Sequence, residues 1–284
     1  MKVLKKENSG HFEDHLVIEP KLAWGRILFN EVWYHKELLY FLTWSHIKGR
    51  YKQTVIGIAW ATLRPVLTMA IFSLLFGKLA RVSSEGVPYP LFVYAGLLPW
   101  QCFIHSVNLS MDSITRNSDL IKKVYFPRLF LPASAALSAL VDFFISFGVF
   151  FILMIYYKWM PARSIILLPA LVILLTIFIT AVGFILSALN AFFRDVELAT
   201  PFFLQIALFL TPVIYPVSIV SAKWKWLVYL NPLAGLIESF RACLLGYKPL
   251  PWGGLVLAAV LILGLFVCGL IFFIKSEETF PDII

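Results

Sequence analysis

Charge is scarce in this 284-residue chain: Asp, Glu, Lys and Arg together make up 14% of it. A soluble domain carries about 25%, so water is not the main solvent of this protein. Cysteine is scarcer still. Cys102, Cys243 and Cys268 lie in or beside apolar stretches, at spacings that match neither a disulfide framework nor a metal site. They read as small core residues. No phosphate-binding loop occurs: the nearest approach, Gly77-Lys78, has Phe72 where a glycine is required and Leu79 where a hydroxyl would hold magnesium. His-Glu-x-x-His, Cys-x-x-Cys and Gly-x-Ser-x-Gly are missing as well. The expectation is a non-catalytic protein with no metal and no cofactor of its own, and any ATP-driven work needs a separate hydrolysing subunit. Buried ionisable groups and internal repeats, which a proton- or sodium-coupled carrier would show, are also wanting. Nucleic acid is not expected either, because the net charge of +8 is spread over loops between apolar runs rather than gathered on one face.

What the chain has in abundance is apolar length. It is 60% hydrophobic, with a mean hydropathy of +0.85. A hydrocarbon core about 30 Å thick needs about 20 apolar helical residues, and six runs qualify: about 55–79, 88–111, 129–157, 164–190, 198–219 and 252–274. This predicts an all-α, multi-pass membrane protein with a 1–54 N-terminal segment, a six-helix domain over 55–274 and a 275–284 tail. An even number of spans puts both termini on one side. Nine Lys or Arg precede residue 55, and nothing there resembles a cleaved signal core. The basic excess on that side makes it the cytoplasmic one.

Several shorter segments stand out. At 100° per residue, Trp24, Ile27, Leu28, Val32, Leu39 and Leu42 share one sector, which predicts an amphipathic helix lying flat on the membrane. His35 and His46 fall on the same stripe and read as interfacial residues. In 112–128, Asn117 or Ser118 is placed to cap a short helix with Asp119 in its first turn and Lys122 and Lys123 at its end, stopped by Pro127. Such a helix either seats in a partner's groove or is a solvated loop helix. Residues 233–246 are apolar but too short to cross, with Asn231 as N-cap, Pro232 at the first position and Gly246 past the end. They predict an outer re-entrant or interfacial helix in which Glu238 and Arg241 pair at i, i+3. Two charges fall inside spans. Arg64, beside Pro65, either receives an anionic headgroup or diphosphate or snorkels to the interface. Asp142 either pairs with a basic residue of a neighbouring helix, caps polar backbone or serves transport. The 26 Phe, 11 Tyr and 9 Trp residues include more aromatics than lipid contact explains, and Tyr and Trp suit a passage for sugars.

Five motifs then carry a family resemblance, in order from about residue 20 to 275. They are Arg50-Tyr51-Lys52-Gln53-Thr54-Val55-Ile56-Gly57-Ile58-Ala59-Trp60 leading to Arg64-Pro65, Gly96-Leu97-Leu98-Pro99-Trp100, Lys122-Lys123-Val124-Tyr125-Phe126-Pro127-Arg128, Phe193-Arg194-Asp195-Val196-Glu197, and Asn231-Pro232-Leu233. The chain resembles the permease subunits of ABC-type O-antigen, capsule and teichoic-acid exporters. That resemblance implies a homodimer in the bacterial inner membrane, bound to two copies of an ATP-binding-cassette ATPase, moving a polysaccharide linked to undecaprenyl diphosphate. It implies an interface helix over 22–46, and a coupling helix in 112–128 with Asp119, Leu120, Lys122, Lys123, Tyr125 and Arg128 facing the ATPase. Arg50, Lys52, Arg64, Arg194, Asp195 and Glu197 would stand at the cytoplasmic entrance, and Asn231, Glu238 and Arg241 in the outer gate within 223–250. Two rivals remain: a drug or lipid exporter of the same fold, and a membrane enzyme acting on polyprenyl-linked sugars. The enzyme would need a carboxylate cluster, and the sequence offers none.

Overall fold

The computed structural model describes residues 34–52, 59–124 and 126–280. All regular elements among them are helical: α1 (Lys36–Tyr51), α2 (Ala59–Phe72, prolonged by a π-helical turn Ser73–Leu79), α3 (Tyr89–Met111), α4 (Ser118–Lys123), α5 (Phe130–Tyr156), α6 (Leu168–Phe192), α7 (Asp195–Leu210), α8 (Pro232–Leu245) and α9 (Trp252–Glu277). Trp24, Ile27, Leu28 and Val32 of the expected amphipathic helix, and Gln53 to Ile58 of the first motif, lie outside the described residues. In α1, Leu42 is buried and Leu39 half-buried, while Tyr40, Phe41 and Trp44 are exposed.

Four described helices are long and apolar enough to cross a membrane: Ala59–Leu79, Phe130–Tyr156, Arg163–Phe192 and Trp252–Glu277. Their outward faces show which solvent they meet. On α9, Val256, Val260, Leu263 and Val267 are all more than half exposed and recur at helical spacing along one side. A stripe that apolar facing water would be an aggregation site; facing lipid it is neutral.

Two expected spans differ from those four. Helix α3 is 23 residues long, but Leu91 through Trp100 are buried without a break. It is the central post, packed against α2, α5, α6 and α8. Wrapped by protein, it carries Ser106 and Ser110 buried and Gln101 and His105 half-buried. Helix α7 starts at Asp195 and ends at Leu210, short of the expected end at 219. The cause is local: Thr211 precedes Pro212 and adopts an extended conformation (φ −94°, ψ 137°), because the proline ring disfavours helical backbone in the residue before it.

The 233–246 segment is helical as expected, and both caps form. The Asn231 side chain accepts from the Leu233 N–H at 3.1 Å, and Gly246 ends α8 at φ +63°, where a Cβ would be strained. Of the re-entrant and interfacial settings expected for it, the interfacial one does not fit. Every residue from Leu233 to Leu245 is buried, so protein surrounds it. Close helix approach makes this possible: a Cβ on Gly235 would lie 2.5 Å from the Gly254 carbonyl oxygen of α9. Small residues set such distances between membrane helices.

Gly235→Ala is therefore expected to push α8 off α9 and lower stability by about 1–3 kcal/mol, the usual cost of overpacking. Thermal unfolding of the detergent-solubilised protein measures it, and an unchanged midpoint would refute the close approach.

Candidate functional site

Two polar clusters sit in this apolar bundle, one toward the end of α1 and one at the opposite end around α8. The first centres on Asp142, the thirteenth residue of α5 and about 18 Å along it at 1.5 Å per residue. Its carboxylate accepts hydrogen bonds from the Arg50 guanidinium and the Tyr51 hydroxyl, both at the end of α1. His105 Nε2 of α3 lies 3.6 Å from Asp142 Oδ2, and Arg50 reaches Ser138 at 3.4 Å. Burial, then the hydrogen bond to Asp142 and its charge, push the Tyr51 hydroxyl up to about 12, so it remains a donor at neutral pH. Burial, followed by the positive charges of Arg50 and Arg116, lowers His46 below the usual histidine range, and it stays neutral. Of the roles open to Asp142, the structure displays the pairing with a basic residue of another helix.

Around this cluster lies a half-open cavity of about 420 Å³, lined by Arg50, Tyr51, Trp60, Arg64, Gln101, His105, Asp142 and Ser146 among others. Arg50 and Arg64 thus meet in one place, while Lys52 is exposed at the end of the described helix. Sequence reasoning did not single out Tyr51, Gln101 or His105. Gln101 and His105 stand four residues apart within an apolar run, which puts them on one helix face, and that was the available signal.

The loop expected to face a partner is helical over Ser118–Lys123, with Asp119, Lys122, Lys123 and Val124 exposed, Leu120 half-buried and Ile121 buried. Asn117 occupies the cap position, but its side chain bonds back to the Ser113 carbonyl at 2.7 Å and makes no cap. Tyr125 lies outside the described residues. Arg128 points inward: its backbone N–H donates to Glu277 Oε1 at 3.1 Å, and its guanidinium donates to the Glu277 carbonyl. It ties the loop to the end of α9. Arg194, at the N-cap of α7, and Asp195 and Glu197, in its first turn, are exposed, at the end of the bundle where Phe192 packs on Phe280.

The second cluster is drier. Arg241 and Glu238 of α8 are almost inaccessible, at 0% and 1% exposure. Arg241 donates to the carbonyls of Phe92 (3.2 Å), Pro212 (2.8 Å), Tyr215 (3.3 Å) and Val213, and to Glu238 at 3.3 Å. Its guanidinium also stacks 3.8 Å from the Phe92 ring centroid. Glu238 accepts from Lys248 as well, and Lys248 Nζ stands 3.6 Å from Glu85. The i, i+3 pair is thus present, within a larger chain of charges that includes Lys248 and Glu85. Asn231 joins in through Thr211 at 2.8 Å. The bonds of Arg241 gather α3, α8 and the 211–215 segment around one side chain.

Replacing Arg241 by Met would take one of the two cations from Glu238 and leave four carbonyls without this donor, costing about 3–5 kcal/mol as for other broken buried pairs, and little folded protein is expected in a solubilised preparation. At the other cluster, Asp142→Ala should free the end of α1. Amide exchange over residues 36–51 would then rise while α9 stays protected; an unchanged pattern would show that the junction does not hold α1.

Comparison with known proteins accords with this architecture. The family described as ABC-2 type transporter matches residues 37–245. The O-antigen export system permease protein RfbA of Myxococcus xanthus is 32% identical over 256 residues, which is 88% of this chain and 97% of that protein. A protein of the same name from Klebsiella pneumoniae is 32% identical over 206 residues, 72% of this chain and 79% of the relative. The polysialic acid transport protein KpsM of Escherichia coli is 26% identical over 210 residues, 71% and 79% of the two chains. With the family match covering well over half of its length and its helices dressed for lipid, this chain is a multi-pass membrane permease that belongs to the ABC-2 type transporter family.

Proposed function

We propose that the chain is the membrane-embedded subunit of an ABC exporter that carries a polysaccharide, linked to a polyprenyl diphosphate, across the bacterial inner membrane. The observation that carries this reading is the 32% identity to an O-antigen export permease over 97% of that protein's length. In this reading α2, α3, α5, α6, α7 and α9 are the six spans, with α3 inside the bundle and α7 completed by the extended segment from Thr211. Helix α1 lies at the cytoplasmic interface, α8 is re-entrant on the outer side, and both termini are cytoplasmic.

The chain supplies a passage and no fuel. ATP is hydrolysed by a separate partner, two copies of which bind a homodimer of this subunit. Motion enters through α4, whose exposed Asp119, Lys122 and Lys123 offer charge to a partner while Ile121 anchors it on the bundle. Arg128 acts from behind, holding the loop on α9. Asn231, Glu238 and Arg241 belong to the closed outer end, and Arg194, Asp195 and Glu197 to the cytoplasmic rim.

Reversing both lysines (Lys122→Glu with Lys123→Glu) should leave the complex assembled but cut glycan export by about tenfold or more, since like charges facing each other in an interface cost over a kcal/mol. Co-purification and export in cells lacking their own permease give the two readouts. Undiminished export would sink the coupling role, and transport by the isolated chain reconstituted alone would sink the division of labour.

A further inference from the structure

Charge is unevenly divided between the two ends of the bundle. The end around α8 carries Lys78, Arg81, Lys158, Arg163, Lys223 and Lys225, of which five are exposed and Lys225 is half-buried. Contacts of their neighbours place them there. Gly77 lies against Tyr89, whose hydroxyl donates to the Ile214 carbonyl at 2.9 Å. Trp159 Nε1 donates to the Leu245 carbonyl at 2.8 Å and the Ser164 hydroxyl to that of Ala242 at 3.4 Å, and the Tyr229 ring lies against Gly254. Among the described residues the carboxylates at this end are Glu85 and Glu238. Both are taken, Glu238 by Arg241 and Lys248, and Glu85 by Lys248. No ion pair among the described residues includes any of the six cations. The opposite end mixes the signs, with Asp112, Asp119, Asp195, Glu197 and Glu277 set among its basic residues.

An exposed cation in water needs no partner, so the side chains beside these six decide what they meet. Around Lys158 and Arg163, Ile155, Tyr156, Met160 and Ile166 are each more than three-quarters exposed. Leu79 stands bare beside Lys78. Lys223 and Lys225 alternate with the exposed Trp224 and Trp226, and Lys223 Nζ lies 5.9 Å from the Trp224 ring centroid. Bare aliphatic and aromatic side chains interleaved with Lys and Arg mark the depth at which hydrocarbon gives way to headgroups, where the basic stems reach outward to phosphates. Zwitterionic headgroups bring no net charge to this level. Six cations without a carboxylate create a positive potential that draws acidic headgroups instead. A glycan in water is a poorer fit, because it would meet uncovered Ile and Met side chains on the way.

We propose that the end around α8 is a basic rim that binds acidic phospholipid in the leaflet it faces. Lys158 and Arg163, on the turn between α5 and α6, and Lys223 and Lys225, on the segment before α8, are its main ligands, with the neighbouring tryptophans seated among the headgroups. Neither the export reading nor the sidedness of this end enters the argument.

The test uses the full-length chain in phosphatidylcholine nanodiscs doped with a photoactivatable phosphatidylglycerol, with the adducts mapped by peptide. Adducts are expected on residues 155–166 and 219–227. Unlabelled phosphatidylglycerol should suppress them several-fold more strongly than phosphatidylethanolamine does, and high salt should weaken them by screening exposed charge. Combining Lys158→Gln, Arg163→Gln, Lys223→Gln and Lys225→Gln should cut these adducts by about tenfold or more, since each cation near an acidic lipid surface contributes about fivefold. All four side chains are at least half-exposed or lie in surface segments, so the variant should keep the thermal midpoint of the wild type, and adducts around Lys122 and Lys123 should persist in it. Equal labelling of the two peptides in wild type and variant, or suppression by phosphatidylethanolamine as strong as by phosphatidylglycerol, overturns the proposal. Displacement of the adducts by a soluble acidic oligosaccharide but not by phosphatidylglycerol also overturns it, in favour of a rim that takes glycan. Glycan export plays no part in these readouts, so a failed rim leaves the export reading standing and a failed export assay leaves the rim.

Discussion

A guanidinium shut away from water must place all its donors on protein acceptors, and the half of this structure around α8 follows from how Arg241 does so. Four carbonyls and one carboxylate converge on it. Three of those carbonyls, of Pro212, Val213 and Tyr215, are available because Pro212 and Pro216 keep the 211–216 backbone out of a helix. The breaks in α7 and the charge in α8 are thus one design: broken backbone needs a donor, and a buried donor needs broken backbone. Gly96 belongs to the same arrangement, since a Cβ there would lie 2.6 Å from an Arg241 nitrogen.

Much of this was legible in the sequence, and the particulars show why. Caps are local, so Asn231 and Gly246 bounded α8 correctly. Apolar length is local too, so α5, α6 and α9 fall close to their expected limits. The i, i+3 pairing of Glu238 with Arg241 follows from helix geometry alone. What sequence did not reveal was where a short apolar helix goes. A run such as 233–246 looks the same whether protein or lipid surrounds it, and only the packing of Gly235 on Gly254 decides. Long-range partners were equally hidden: Arg50 and Asp142 are 92 residues apart, and nothing in either neighbourhood names the other. Arg128 resembled a partner-facing charge because Glu277 lies 149 residues away.

The bundle is organised by contrast between its ends. Around α8 the ion pairs are multiple and centred on the buried Glu238 and Arg241, which favours a single rigid arrangement. Toward the end that holds α1, the charges are partly open to a cavity and tie together elements that are not otherwise extensively packed. Helix α1 is joined to α5 chiefly through the two neighbouring side chains Arg50 and Tyr51.

The shortness of α7 has a consequence for the bilayer itself. Sixteen residues rise about 24 Å, whereas hydrocarbon is about 30 Å deep. Beyond Leu210 the chain turns inward, with Thr211, Val213 and Ile214 buried, and contributes no helical wall. A helix of that length falls about 6 Å short of the hydrocarbon, a mismatch that costs a fraction of a kcal/mol for each ångström wherever lipid meets it.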